Sequence, residues 1–271
     1  MSGLFTGRKY LVTGVLNDES LAWHVAAALQ KDGATVVLTS FGRALRITRK
    51  AAALLPAPAE LLELDVTDDA DFEALSDEIS HWDRLDGVLH SVAYAPPDAL
   101  GSGFLTTPAA SALEGFRASA YSLQQLARAV LPALARAEHG GSIVGMTVDT
   151  ARVLPGYDWM GVFKTALESV AQYLALYLGP SGVRVNLVAA GPVETLAAQG
   201  IGTFSQLADY YERWAPLGWD RTDPASVVGA VQYLLSDLAR HTTGEVIHAD
   251  GGMHAVTGGI ATSRDAAQPT R

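Results

Sequence analysis

Short, almost continuously apolar runs alternate along the chain with longer stretches rich in alanine and leucine. The apolar runs are Lys9–Thr13, Thr35–Thr39, Leu61–Val66, Gly87–Val92, Ser142–Met146, Val183–Val188 and Glu245–His248. Runs without polar alternation predict strands buried on both faces of a parallel sheet. The longer stretches, such as Leu21–Lys31 and Met160–Leu178, predict the connecting helices. The pattern predicts an α/β fold of Rossmann type, a doubly wound parallel sheet of about seven strands.

The longest interruption of this alternation is the segment Gly191–Asp220, between the sixth and seventh predicted strands. Its aromatic residues are Phe204, Tyr210, Tyr211, Trp214 and Trp219. In a doubly wound fold such a connection lies over the carboxyl ends of the strands, where ligands bind. The segment is equally compatible with two amphipathic helices that cap the sheet, and both interpretations can hold together.

Length and composition restrict the class of protein. A chain of 271 residues fits one α/β domain, 1–271, and the small and polar residues Thr257–Arg271 predict a mobile tail. No stretch approaches the roughly 20 apolar residues of a membrane helix, and the N-terminus lacks the features of a secretory signal. The net charge of −10 argues against general nucleic-acid binding.

The cysteine and histidine content predicts neither disulfides nor a metal site. The chain contains no cysteine, which excludes disulfides and thiolate ligands and fits a reducing, cytoplasmic location. The 7 histidines show no zinc-ligand spacing. His90 is expected to be a buried residue at a strand end.

The turn after the first predicted strand is a candidate for binding a nucleotide. Gly14 allows the backbone to approach a pyrophosphate, and Ser20 stands where the next helix begins. Only one glycine of the usual Gly-x-Gly-x-x-Gly remains, and Ser20 also suits a plain N-cap. After the second strand no acidic residue is present to hold the ribose of NAD, whereas Arg43 and Arg46 suit a 2′-phosphate. The residues themselves therefore leave NADH and NADPH open.

A tyrosine and a lysine seven positions apart form the candidate catalytic pair, Tyr157 and Lys164. In a helix, seven residues make about two turns, so both side chains share one face. A phenol can donate a hydrogen bond to a developing oxyanion, and an ammonium group can hold the ribose of a nicotinamide cofactor. The spacing alone is also compatible with a tyrosine at a helix entry and a solvated lysine.

Taken in order, the motifs of this chain resemble those of the enoyl-acyl carrier protein reductases of actinobacterial type. That family is a divergent branch of the short-chain dehydrogenase/reductase superfamily. The motifs are Thr13–Ser20, Leu64–Val66, His90–Ser91, Gly141–Met146, Tyr157–Lys164, Asn186–Pro192, Thr242–Val246 and Asp250–Gly252. The resemblance implies reduction of an enoyl thioester, on acyl carrier protein or CoA, in fatty-acid or specialised acyl biosynthesis. It also implies NADH rather than NADPH as the reductant, and a homotetramer.

The resemblance assigns roles to individual residues. Tyr157 would hydrogen-bond the thioester carbonyl, and Lys164 would bind the cofactor ribose. The implied cofactor site consists of Gly14, Val15, Ser20, Leu21, Asp65, Val66, Ser91, Val92, Ala93, Met146, Lys164, Ala190, Gly191, Pro192, Val193 and Thr195. The implied substrate site consists of Tyr94, Val148, Tyr157 and Met160.

Two alternatives to an enoyl reductase remain open. An ordinary ketoreductase is disfavoured, because Gly161 replaces the lysine expected four residues after Tyr157 and Val144 replaces a serine. A reductase of another conjugated alkene or carbonyl in a natural-product pathway fits the same residues. A non-catalytic nucleotide-binding protein fits less well, because it would have no need of both Tyr157 and Lys164.

The chain departs from the pattern of the family it resembles. Thr147 and Val148 replace a usual aromatic residue, which opens space near the substrate. Phe163 replaces an alanine, and either refills that space or packs elsewhere. Ala93 replaces a glycine beside the cofactor. The segment 191–220 is short and contains one basic residue, Arg213, which favours a short or medium acyl chain and argues against an acidic carrier protein of primary metabolism.

Overall fold

The computed structural model describes residues 3–101 and 103–257, and within them the strands form one parallel sheet. Apart from Thr257, the predicted tail lies outside the described residues. The sheet order is β3-β2-β1-β4-β5-β6-β7. The strands are β1 (Lys9–Val12), β2 (Thr35–Ser40), β3 (Glu60–Glu63), β4 (Gly87–His90), β5 (Ser142–Thr147), β6 (Arg184–Ala190) and β7 (Val246–Ala249). The predicted Rossmann-type fold is confirmed.

Helices cover both faces of the sheet, and each face has its own apolar core. α1 and α9 pack on one face, and α3, α5 and α6 pack on the other. The helices are α1 (Leu21–Lys31), α2 (Leu45–Ala52), α3 (Asp69–Ser80), α4 (Ala109–Phe116), α5 (Ser122–Leu134), α6 (Trp159–Leu178), α7 (Leu196–Gln199), α8 (Phe204–Trp214) and α9 (Ala225–Leu235). A π-helical turn, Arg117–Tyr121, joins α4 to α5. No helix in the described ranges is both long and apolar enough to cross a membrane.

The third strand is shorter than predicted. β3 ends at Glu63, so Leu64–Val66 follows the strand and does not belong to it. The Asp65 side chain explains the early end, because its Oδ1 accepts hydrogen bonds from the Thr67 amide at 2.8 Å and the Thr67 hydroxyl at 2.7 Å. This local turn takes the backbone out of the sheet ladder. The other strands match the predicted runs to within about two residues.

The strand order reverses between β1 and β4, and this switch point determines where a ligand can bind. β1 pairs with β2 on one side and with β4 on the other. The connections that leave β1 and β4 touch each other: a Cβ on Gly14 would lie 2.0 Å from the carbonyl oxygen of Ser91. Gly14 also has a φ of +86°. Only glycine fits both constraints, and the crevice outside β1 and β4 is the usual ligand site of such a sheet.

Candidate functional site

Two cavities meet at the carboxyl edge of the sheet. The first, about 340 Å³, lies beside the β1–α1 turn and the end of β2. The second, about 600 Å³, lies between residues 94–101, the start of α6, and the α7–α8 segment. The side chains common to both are Leu21, Ala93, Met146, Lys164, Thr195 and Ala197. A ligand in the first cavity would therefore touch a ligand in the second.

The N-terminus of α1 opens into the first cavity without a side-chain cap. Ser20 occupies the N-cap position, but its hydroxyl makes no capping hydrogen bond. Instead its Oγ accepts from the amides of Leu16 and Asn17, both at 3.1 Å, and so closes the preceding turn. The first turn of α1 contains no acidic residue. The uncapped amides and the helix dipole suit a negatively charged group such as a pyrophosphate.

The residues predicted to bind a cofactor divide between the two cavities. Those lining the first cavity are Gly14, Val15, Ser20, Leu21, Val66, Ser91, Val92, Ala93, Met146, Lys164 and Thr195. Those lining only the second are Ala190, Gly191, Pro192 and Val193. Asp65 lines neither cavity, although its neighbours Leu64 and Val66 line the first.

Phe41 is a lining residue of the first cavity that the sequence analysis did not identify. It directly follows β2, and its side chain remains 45% exposed. An aromatic side chain exposed at a strand end offers a flat apolar surface for a purine base. The sequence offered one signal for this residue, because a large apolar side chain in a turn is not expected to be buried in the core and can instead contact a ligand.

Lys164 is a buried cation on the wall between the two cavities. Its Nζ donates to the carbonyl oxygen of Met146, near the end of β5, at 2.8 Å. It also donates to the carbonyl oxygen of Val92, in the connection after β4, at 3.4 Å. No carboxylate among the described residues forms an ion pair with it. Burial lowers the pKa of the Lys164 ammonium to about 8. The ammonium is thus held by backbone dipoles and lies where a ligand can reach it.

Tyr157 lies in a turn directly before α6, so of the two arrangements considered for the pair the tyrosine at a helix entry is the one observed. The amide of Met160 donates to the carbonyl of Tyr157 at 2.8 Å, which closes a four-residue turn. Asp158, at the second position, has φ 43° and ψ −120°, the conformation of a type II′ turn. It is the one non-glycine residue in the described ranges with positive φ. Despite the turn, Tyr157 lines the second cavity together with Lys164.

Burial keeps the Tyr157 hydroxyl protonated. Its side chain is only 9% exposed, and loss of contact with water raises the pKa of Tyr157 to about 12. At neutral pH the phenol is therefore a hydrogen-bond donor in the wall of a largely apolar cavity. Such a donor suits an oxygen atom that gains negative charge during a reaction.

The other residues predicted to contact a substrate also line the second cavity: Tyr94, Val148 and Met160. Ser119 fixes the backbone of Tyr94, because its Oγ accepts from the Tyr94 amide at 2.8 Å and donates to the Tyr94 carbonyl at 2.7 Å. Val148 also lines an adjacent cavity of about 400 Å³ on the outer side of α6. A small side chain at position 148 thus leaves free volume on both of its sides.

Phe163 packs elsewhere and does not refill the space beside Val148. The ring is 1% exposed and lines neither cavity. It lies against Gly115 of α4, where an added Cβ would come within 2.3 Å of the ring. The large residue on α6 is therefore accommodated by the absence of a side chain on α4.

Both interpretations of the segment 191–220 hold. It forms α7 and α8, and their residues line the second cavity, including Ala198, Phe204, Leu207 and Tyr211. Its one basic side chain, Arg213, and that of Arg221, which directly follows the segment, are both engaged within the fold. The guanidinium of Arg221 pairs with Asp209 and Glu212, and that of Arg213 lies 4.9 Å from the centre of the Trp214 ring.

His90 is buried at the end of β4, as expected, and is not an acid or base at neutral pH. Its Nε2 lies 2.8 Å from the Ser122 hydroxyl. Burial, reinforced by the nearby charge of Lys164, lowers the pKa of His90 to about 3. Among the described residues no group of three or more acidic or histidine side chains is placed to hold a metal ion.

Comparisons with known proteins show the family of this chain. The family described as "Enoyl-(Acyl carrier protein) reductase" matches residues 14–254. An enoyl-[acyl-carrier-protein] reductase [NADH] of Mycolicibacterium smegmatis is 44% identical over 267 residues, which cover 93% of this chain and 98% of the relative. The protein of the same name from Mycobacterium avium is 42% identical, with 93% and 98% coverage. A further one, from Rhizobium meliloti, is 39% identical, with 94% and 93% coverage.

The chain belongs to the enoyl-(acyl carrier protein) reductase family. The resemblance noted from its motifs is thereby confirmed.

The burial of Lys164 predicts a specific dependence of stability on pH. Between its folded pKa of about 8 and the ordinary lysine value of about 10.4, the unfolded chain binds more protons than the folded one. The free energy of unfolding therefore gains a contribution that rises with pH over this range. Relative to Lys164→Met, wild-type stability should rise by on the order of 2 kcal/mol between about pH 7.5 and 9.5. Urea unfolding of both proteins measures the difference, and parallel pH profiles would show that Lys164 is not desolvated.

Proposed function

We propose that this chain reduces the 2,3 double bond of an enoyl thioester with NADH. The observation that carries the proposal is the position of Lys164 between two adjoining cavities, with Tyr157 beside it on the wall of the second. The first cavity has the features of a nucleotide site, and the second has mainly apolar walls. The names of the relatives support both the reaction and the reductant, because each includes enoyl-[acyl-carrier-protein] reductase and NADH. The whole chain is proposed to form one reductase domain.

The residues of the first cavity fit NADH. The uncapped start of α1, without an acid in its first turn, suits the pyrophosphate. Phe41 offers its ring to the adenine, and Lys164 offers its ammonium to the ribose hydroxyls. When bound, NADH supplies a hydride to the β-carbon of the enoyl group. Arg43 and Arg46 are exposed beside this cavity, so NADPH is included in the assay below.

Tyr157 and Lys164 stabilise the charge that conjugate reduction creates. As the β-carbon gains hydrogen, the electron pair of the double bond moves to the thioester oxygen, which becomes an enolate. The Tyr157 hydroxyl donates a hydrogen bond to this oxygen, and the Lys164 ammonium adds positive potential. The α-carbon then takes a proton that originates from water, so the saturated thioester gains one hydride and one proton. The low polarity of the cavity strengthens both interactions.

The second cavity supports an acyl thioester of short or medium chain length as the substrate. Its inner walls are apolar, from Met160 and Ile201 to Phe204 and Leu207. Arg213 of α8 stacks on Trp214, and Arg221 after it is paired with two carboxylates, so both offer an acidic carrier protein little attraction. We therefore propose that CoA thioesters are reduced at least as well as those of an acidic carrier protein.

A homotetramer is proposed for the assembly, on the basis of the resemblance and an exposed apolar face. On α6, the side chains of Tyr173, Leu176 and Tyr177 are 64%, 67% and 73% exposed. Exposed apolar patches of this kind commonly mark subunit interfaces. A cytoplasmic location is proposed with it.

The test is oxidation of NADH or NADPH, followed by absorbance, with short and medium trans-2-enoyl thioesters on CoA and on acyl carrier protein. Tyr157→Phe should lower kcat by about 100-fold or more, the usual cost of removing an oxyanion donor, while NADH affinity is kept. Tyr233→Phe is the matched control, since it removes a hydroxyl from α9 away from both cavities, and should retain full activity. NADH binding without any turnover by the wild-type protein would favour a binding role instead.

Val148 provides a second test, because its small side chain leaves the substrate cavity wide. Val148→Phe fills this space and adds apolar contact with the substrate. It should therefore raise kcat/KM for linear enoyl thioesters by about 3- to 10-fold. Val148→Leu is the control for added volume without an aromatic ring. Lower activity of Val148→Phe on linear substrates would mean that the space serves a bulkier conjugated alkene.

A further inference from the structure

Three aromatic side chains link the catalytic helix to the wall of the substrate cavity. Trp159 lies between Phe163 and Phe104. Its ring centre is 6.1 Å from that of Phe163, with an interplanar angle of 34°, and 5.1 Å from that of Phe104, with an angle of 24°. The Trp159 indole N–H also donates to the Phe104 carbonyl at 3.3 Å. We call these three residues the aromatic ladder.

The inner end of the ladder is held firmly. Phe163 is buried between α6 and α4, and its ring fills the space that the missing side chain of Gly115 leaves. Trp159 and Phe163 are four residues apart on α6, so they lie on one face of the helix. Any movement of the Phe163 ring is therefore passed to Trp159.

The outer end of the ladder holds the segment that forms one wall of the cavity. Residues 94–101, the wall segment, line the second cavity through Tyr94, Ala95, Leu100 and others. Ser119 fixes the start of this segment at Tyr94. Its other end leads towards Phe104, whose ring stacks on Trp159. Between these two anchors, Ala95 and Leu100 pack against the cluster of Tyr157, Met160 and Phe163.

Trp159 also stands directly beside the turn that places Tyr157. It is the third residue of the turn in which Asp158 has positive φ. Because α6 begins at Trp159, the position of its ring and the direction of the Tyr157 side chain depend on the same backbone.

We infer that the aromatic ladder is a positioning element, which sets the distance between the wall segment and Tyr157 and so determines how well an enoyl thioester is held. Trp159 touches neither cavity by itself and acts through its neighbours. The inference deepens the proposed function and rests on it for the identity of the substrate. The ladder lies away from the first cavity, so NADH binding should not depend on it.

The experiment compares Trp159→Ala, Trp159→Phe and Trp82→Ala in the full chain. Trp159→Ala should raise KM for a trans-2-enoyl thioester by about 2- to 10-fold, the factor that a lost aromatic stack represents, with NADH affinity unchanged. It should also speed hydrogen exchange of the backbone amides in the wall segment. Trp159→Phe preserves a stack and should restore both values. Trp82 is a buried residue of the core beneath α3, so Trp82→Ala lowers the melting temperature without changing either readout.

A second pair of variants tests the inner end of the ladder. Gly115→Ala pushes the Phe163 ring and should reproduce the higher KM and the faster exchange. In the double variant with Phe163→Leu the clashing ring atoms are gone while an apolar side chain still packs against Trp159, so both values should return towards wild type, a non-additive result. The inference is overturned if Trp159→Ala leaves KM and exchange unchanged, or if Trp82→Ala changes them equally. Failure of the proposed function gives a different result, because the wild-type protein itself would not reduce enoyl thioesters. In that case the hydrogen-exchange rates of the wall segment would still show whether the aromatic ladder positions it.

Discussion

The proposed chemistry of this protein depends on keeping one ammonium group charged inside an apolar wall. Lys164 is held there by the carbonyl oxygen of Met146, near the end of β5, and that of Val92, in the connection that follows β4. Burial makes this charge costly, as the lowered pKa of Lys164 shows. The buried charge lies where two cavities meet, which is where the proposed reduction would create negative charge on the substrate. The doubly wound sheet supplies the carbonyl groups, so the fold and the site are parts of the same arrangement.

The second feature of the proposed site is the turn before α6, which determines the position of Tyr157. A tyrosine inside the helix would be carried round with the helical rotation, whereas a tyrosine before it can be aimed independently. The conformation of Asp158 achieves this at a cost in backbone strain, on the order of 1–3 kcal/mol for a non-glycine residue. Backbone strain of this kind persists because the surrounding packing fixes the conformation. Here that packing is the cluster of Tyr157, Met160 and Phe163.

Patterns along the chain predicted the fold well, because strands buried on both faces leave an unambiguous apolar signature. They predicted less about local turns: the Asp65 turn ends β3 early, and the conformation of Asp158 before α6 could not be read from the sequence. Contacts between distant segments were beyond the sequence. Nothing in it pairs Phe163 with Gly115, since a large residue on α6 and a missing side chain on α4 become related only in the packed structure. Likewise, Ser20 suits an N-cap by position, and only the structure shows that its hydroxyl serves the preceding turn.

The central claim is that a hydride reaches the β-carbon of an enoyl thioester while Tyr157 and Lys164 hold the oxygen. The most direct measurement uses both stereoisomers of NADH carrying deuterium at C4 of the nicotinamide ring, in ordinary water, with the product examined by mass spectrometry and NMR. The account predicts that one stereoisomer delivers one deuterium to C3 of the saturated thioester, and that C2 gains hydrogen from water. Deuterium on the former carbonyl carbon, or a reduced product free of deuterium with both stereoisomers, would contradict it.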